Sequence, residues 1–529
     1  MRRPDPRIVE TSGGRSISCG QLWLYSRYAP KRTAERAALA VELTEDTLYV
    51  LESPCFMYGV DRILERLPPG SAVIGVELVP ELLGLALESA SEFAGDPRYA
   101  LASSGDPSTV AAQARALGAF RRVAAINLNQ GNALAQEGYA RILAALNEDI
   151  SIFWRNRVSL MRMGRLWTRN LFSNLGALDW SRASAPARRS GPVVVCGAGP
   201  SLDLALPFLR SLDAGVHVMA CDTASGALAR AGVRVDSVVC LEAQIYNVAD
   251  FLPLGDRRVD AYVDLSTHPS SFRALGGPLT VLSSRWADCA LLDRLSAAGL
   301  PLTTVPPLGS VGVLALHLAA SWFGGPLFIA GLDFAFPQGR THCAGSPADL
   351  AEYRSDTRTY RRDGRWAVSF RDGSFSPAPG LRSDPALAMY ARLAARELAE
   401  FGAPGGLAYD LRQGLGLPLP ARPTGFDEAL TILKIAARSG PVAQRGSAEA
   451  GHGSSRARAF LENELDLAMR LRDALRSGST DTRALIDACD YMFLHFPDPE
   501  RVRNLEQDAL NRLAAETLYW QGRLEGALS

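Results

Sequence analysis

The run Val193-Val194-Val195-Cys196-Gly197-Ala198-Gly199-Pro200-Ser201-Leu202-Asp203 constrains this chain more than any other stretch. Three β-branched residues and a cysteine predict a buried strand of a parallel sheet. Gly197 and Gly199 follow as a tight turn where a backbone can approach a phosphate, and Ser201 stands as the N-cap of a helix over 202–209. Strand, glycine turn and helix N-terminus make an anion site, because free N–H groups and the helix dipole point the same way. Asp222 ends the next apolar run, 216–221. An acidic residue about 20 positions after a glycine turn is well placed for a ribose hydroxyl. The competing reading is that the two glycines only let strand and helix pack closely. Taken with Asp222, the turn favours nucleotide binding.

A chain of 529 residues is too long for one core and predicts two to four domains. Hydrophobic residues at 47% and charged residues at 21% describe a globular protein. The net charge is zero, so no overall basic field draws nucleic acid or an anionic membrane. No apolar run follows Met1, and the eight cysteines form no C-x-x-C pair. Both features predict a cytoplasmic, reducing location without structural zinc. No Asp, Glu, Lys or Arg occurs between Arg294 and Asp333, yet prolines and glycines break that stretch. It reads as a loop to Pro307, a buried helix over about 310–323 and a strand over 327–330, not as a membrane span.

Four regions follow. Residues 1–149 predict a small α/β domain, with strands at 48–52, 72–77 and 123–128 after a poorly periodic start that holds one short strand at 21–25. Glu77 ends its second strand where a ribose-binding carboxylate would stand. Its first turn, however, carries Pro54 and Phe56 in place of a close glycine pair, so the domain reads as a degenerate nucleotide-binding scaffold. Residues 150–190 form a helical connector and a linker. Residues 191–423 alternate apolar strands with helices, the pattern of a doubly wound, Rossmann-like, mostly parallel sheet. Polar residues fall at its strand ends, where such sheets bind ligands: Asp222, Glu242, Ser266, Ser283, Asp333. Within it, 352–383 reads as a lid or insertion with Tyr353, Tyr360, Trp366 and Phe370. Residues 424–529 form a helical module after a glycine-rich loop at 437–455.

Gly197-Ala198-Gly199-Pro200-Ser201-Leu202 resembles the G-x-G-P-S-L turn of bacterial sialyltransferases, which cradles the CMP part of a CMP-sugar. A closer resemblance is to the motility accessory factor (Maf) proteins, flagellin glycosyltransferases with the same central domain. It covers 220–224, 239–242, 306–312 and the block Gly331-Leu332-Asp333-Phe334 to His342. MptE-like pterin diphosphokinases share that domain. The resemblance implies that Gly197, Gly199, Ser201, Asp222, Glu242, Gly309 and Ser310 contact the nucleotide, and that Asp333 ends the strand beside it. It also implies flagellin as acceptor and a CMP-activated nonulosonic acid as co-substrate. Sialyltransferases place a phosphate-binding tyrosine after the Asp-Phe pair; Ala335 stands here, and Arg340 could neutralise the leaving phosphate instead.

The chemistry needs a nucleotide cradle, stabilisation of a leaving phosphate and a base for the acceptor hydroxyl. CMP is already a good leaving group and no D-x-D pair is present, so no cofactor or metal is expected. Mg²⁺ is implied only if the chain is an ATP-dependent pyrophosphokinase. His342, after the Asp333 strand end, is the candidate base, with an ordinary pKa near ~6.5 suited to proton removal at neutral pH; His268 is the runner-up. A non-catalytic flagellin-binding assembly factor is the third reading. No nucleic acid and no membrane insertion are expected.

Overall fold

The computed structural model describes residues 5–186, 188–337, 339–361, 373–402, 407–437 and 452–529. The expectations for Trp366 and Phe370 and for 438–451 of the loop expected at 437–455 lie outside these residues, while 453–455 open the helix Gly453–Ser477. The chain divides into two compact units, Met1–Ser159 and Leu160–Ser529.

The first unit opens with an antiparallel sheet of β1 (Arg7–Thr11), β2 (Gly14–Cys19) and β3 (Leu22–Trp23). Its first two strands were hidden by serine- and arginine-rich composition. A four-stranded parallel sheet follows, with β4 (Thr47–Glu52), β5 (Ala72–Val76), β6 (Tyr99–Leu101) and β7 (Arg122–Ile126) in the order β6-β5-β4-β7. All six residues of β4 are buried, as befits a central parallel strand. Its carboxyl edge is closed by the unit's own groups. The Tyr25 hydroxyl donates to Pro54 O at 3.1 Å, and Asn129 Nδ2 donates to Ser53 O at 2.7 Å. Glu77 accepts from Ser53 Oγ at 3.0 Å and from Val79 N at 2.9 Å. Both its oxygens are thus engaged inside the protein.

In the second unit, nine strands form one parallel sheet. They are β8 (Val193–Cys196), β9 (His217–Cys221), β10 (Ser237–Cys240), β11 (Asp260–Asp264), β12 (Leu279–Ser284), β13 (Leu302–Val305) and β14 (Leu327–Ala330), then β17 (Ala408–Asp410) and β18 (Arg422–Pro423). A two-stranded ribbon of β15 (Phe336–Pro337) and β16 (Leu381–Arg382) branches off before the last pair. The order is β13-β12-β11-β10-β9-β8-β14-β17-β18, so the winding reverses between β8 and β14. That reversal is where a doubly wound sheet opens its ligand crevice. β13 replaces the loop expected up to Pro307. Its two threonines obscure it, and its edge position tolerates them.

The helix Val311–Trp322 packs across this sheet with seven of its residues buried. It runs against the strands. Gly312 lies beside Leu332, past the end of β14, and the Phe323 ring past the other end lies tilted with its centroid 4.9 Å from that of His217 at the start of β9. The helix N-terminus therefore points to the carboxyl edge. Among the described residues no helix is long and apolar enough to cross a membrane.

Two elements differ from expectation. The separate helices expected around 132–146 and 150–178 are one 42-residue helix, Gln136–Ala177, because nothing between them breaks the helical pattern. The stretch expected as a free linker is tied to the second unit: Ser184 N donates to Leu279 O and Arg189 N to Trp322 O, each at 2.8 Å. C-terminal helices Gly453–Ser477 and Gln507–Leu528 pack together. Trp520 there meets Phe172 and Tyr491 edge-on. All eight cysteines are free and buried.

Two asparagines on the long helix satisfy strand-end carbonyls of the second unit. Asn170 Nδ2 donates to Ala243 O and Ser266 O, and Asn174 Nδ2 donates to Leu265 O and Thr267 O at 2.8 and 2.7 Å. Asn174→Ala leaves two carbonyls unpaired in a buried place. It should cost about 1–3 kcal/mol in urea unfolding; a change within about 0.3 kcal/mol would show that water replaces the amide.

Candidate functional site

The turn after β8 is built differently from an open phosphate cradle. Five of its backbone donors are engaged within the protein. Gly197 N donates to Ala330 O at 2.8 Å, Gly199 N to Gly331 O at 2.7 Å, Leu202 N to Gly199 O at 3.0 Å and Asp203 N to Pro200 O at 3.3 Å. Ser201 N donates to Asp333 Oδ2 at 2.8 Å. A side chain on Gly197 would strike Gly331 O, and one on Gly199 would come within 2.6 Å of the Asp333 carboxylate. The glycines therefore let the ends of β8 and β14 cross. The lack of a side chain at both positions is what this close approach of the turns after β8 and β14 requires.

Ser201 also differs from expectation. Its backbone is helical and its side chain caps no amide of the helix Leu202–Arg210. Ser201 Oγ donates to Asp333 Oδ1 and accepts from Gly331 N at 3.2 Å. Asp333 thus occupies the place an anion would take, and burial pushes its carboxyl up to about 6. It joins the turns that follow β8 and β14.

The free helix N-terminus lies at the other glycine. Gly309 adopts a φ of 66°, a left-handed geometry that glycine takes without strain. Ser310 then starts the helix Val311–Trp322 in extended backbone, with no side-chain cap. The helical ladder begins at Leu314 N, which donates to Ser310 O at 3.0 Å. Val311, Gly312 and Val313 have no helical carbonyl to bond.

A different chemistry lines the ends of β9 and β10. Asp222 begins the helix Asp222–Arg230, and its Oδ1 accepts from Thr223 N at 2.8 Å. Burial pushes its carboxyl up to about 6. Glu242 is exposed and holds Gln244 N at 2.9 Å. Asn247 Nδ2 donates to Asp250 Oδ2 at 2.7 Å, while the buried Asp250 Oδ1 has no hydrogen-bond partner. Burial and the neighbouring Asp222 push Asp250 up to about 7. Asn247 and Asp250 escaped the sequence reading because they lie on short helical turns past the strand end. Their three-residue spacing was the available signal. Among the described residues no group of three or more His, Cys, Asp and Glu side chains is arranged to hold a metal ion.

The segment carrying Arg340 and His342 lies against the glycine turn, since Cys343 N donates to Ala198 O at 2.8 Å. Arg340 pairs with Asp203. His342 Nδ1 sits 2.9 Å from Thr341 Oγ1, and burial lowers its pKa from the ordinary value. His268, the runner-up base, caps the helix Pro269–Ala274 through Nδ1, which accepts from Ser270 N at 3.2 Å.

Residues 168–339 match the family described as 6-hydroxymethylpterin diphosphokinase MptE-like. The structure of a Maf glycosyltransferase from Magnetospirillum magneticum AMB-1 superposes with a TM-score of 0.58, covering all of this chain and 91% of that one at 13% identity. The chain shares its fold with a Maf glycosyltransferase. An uncharacterized protein of Treponema pallidum (strain Nichols) is 28% identical over 547 aligned positions, 97% of this chain and 93% of its own length. The likeness to the Maf glycosyltransferase spans both units, whereas the MptE-like match lies within the second.

Three buried carboxyls, Asp222, Asp250 and Asp333, are held above their ordinary range. The folded protein thus keeps protons that the unfolded chain loses between roughly pH 4 and 7. Stability should fall as pH rises through that window. Asp250→Asn removes one share, so the gap in urea stability between pH 5 and 7.5 should shrink by about 1 kcal/mol or more. An unchanged gap would contradict this assignment.

Proposed function

We propose that the chain is a glycosyltransferase that moves a nonulosonic acid of the pseudaminic, legionaminic or sialic type from a CMP donor to serine or threonine of flagellin. The observation that carries this reading is the division of the carboxyl edge. An uncapped helix N-terminus at Gly309-Ser310 faces the same edge as the carboxylates Asp222 and Glu242. A ligand with an anionic phosphate and a hydroxyl-bearing nucleoside suits such a surface: amides for the phosphate, carboxylates for ribose hydroxyls. The Maf-like fold across both units favours a transferase with a large acceptor.

In this mechanism the CMP phosphate sits at the amides of Val311–Val313 with the Ser310 hydroxyl beside them. Asp222 and Glu242 take the nucleoside. The bond from the sugar's anomeric carbon to the phosphate oxygen breaks, and its electron pair leaves on CMP. The helix dipole stabilises the charge that develops there. The acceptor hydroxyl bonds to the anomeric carbon as His342 takes its proton. Burial keeps the imidazole neutral at physiological pH, ready to act as that base. Asp333 and the glycine turn hold the frame without touching the reacting atoms. The transfer needs no resident metal on this reading, because phosphate departure requires no protonation of a poor leaving group.

The MptE-like match over 168–339 favours a second reading, a pyrophosphokinase using ATP and Mg²⁺. Thermal unfolding separates the two. A ligand at 100 times its Kd stabilises the native state by about 2.7 kcal/mol. CMP should therefore raise Tm by several degrees, and ATP with Mg²⁺ should not. CMP-pseudaminic or CMP-legionaminic acid with flagellin should then release CMP and add the sugar's mass. A shift with ATP and Mg²⁺ alone would overturn the transferase reading; flagellin binding without nucleotide binding would point to an assembly factor.

A further inference from the structure

Asp203 opens the helix Leu202–Arg210, where an acidic residue ordinarily serves the helix dipole alone. Here it does more. Its Oδ2 pairs with the Arg340 guanidinium, and its Oδ1 accepts from Ala344 N at 3.0 Å. The two groups it holds stand two residues before and two residues after His342. Between them, Cys343 N donates to Ala198 O at 2.8 Å, and beyond them Arg230 donates to Gly345 O at 2.5 Å. Gly339 and Gly345 bracket the segment in left-handed backbone, with φ of 79° and 75°. A short strap is thus fastened on both sides of one imidazole, whose Nδ1 sits 2.9 Å from Oγ1 of its neighbour Thr341.

We propose that Asp203 is the positioning residue for His342, fixing the imidazole beside the glycine turn through Arg340 and Ala344. This rests on the reading of His342 as the base. A charge-assisted pair and a backbone hydrogen bond from one carboxylate fix both the place and the orientation of the strap. Holding a base within about 1 Å of its productive place decides roughly a hundredfold in rate. The groups that act on the ring are Thr341, with Glu352 and Asp349 from the helix Pro347–Arg354. Burial lowers the His342 pKa against the pull of Glu352 and Asp349. A loosened strap would hydrate the ring and leave those carboxylates less opposed, so its pKa would rise.

The test uses the full chain with Asp203→Asn, Arg340→Ala and Asp203→Glu. The protein has six histidines, so the His342→Ala spectrum assigns the His342 ring signals by NMR. Asp203→Asn and Arg340→Ala should each move the His342 titration up toward or past 6.5, and Asp203→Glu should restore it. With CMP-pseudaminic acid and flagellin, Asp203→Asn should lower kcat about tenfold or more with donor KM within about twofold. In the His342→Ala background the same change should cost nothing further. An unmoved His342 titration, or losses that add in the double variant, would overturn the inference. Full turnover by His342→Ala would instead remove the base reading, while the titration still decides whether Asp203 places the ring.

Discussion

The contact between Asp333 and Ser201 sets the terms for the whole carboxyl edge. One carboxylate takes the amide and hydroxyl of Ser201 at the point where the sheet's winding reverses. It fixes the end of β14 onto the end of β8, and Gly197, Gly199 and Gly331 leave room for the two backbones to cross. Arg412 braces the same place by donating to Leu332 O and Leu417 O, while Leu417 N donates to Asp333 O. A buried carboxylate is costly unless such donors surround it. The clamp takes both donors of Ser201.

On the proposed reading the phosphate is bound further along the edge. The helix Val311–Trp322 offers uncapped amides, while Asp222, Glu242 and Asp250 make the ends of β9 and β10 repel phosphate. On the proposed reading a nucleotide lies with its phosphate at the helix and its nucleoside at the carboxylates. The strap holding His342 lies against the turn between the clamped strands. The clamp, the polarity of the edge and the strap follow from one another through Asp333, Ser201 and Asp203.

The central fold was legible because buried parallel strands are written as apolar runs, Val193–Cys196 and Leu327–Ala330 among them, and because the apolar helix at 311–322 lies between proline and glycine breaks. β13 and the first hairpin were not, since edge and antiparallel strands carry threonine, serine and arginine that mask the period. The residues at the strand ends could be named, but not their partners. A glycine turn looks alike whether its amides face a phosphate or the chain itself. Only the 132-residue separation of Ser201 from Asp333, closed in space, decides that. Asp203 stood in the most informative stretch and gained a role only when Arg340 and Ala344 came within reach.

The central claim is that the phosphate of the nucleotide meets the helix at Gly312 and not the turn at Gly199. Backbone amide NMR during a CMP titration tests it directly. The account predicts that the amides of Val311, Gly312 and Val313 shift with saturation, while Gly197, Gly199 and Ser201 keep their positions. Large shifts at Gly199 and Ser201, with Gly312 unmoved, would mean that Asp333 yields its place to phosphate and would contradict the account.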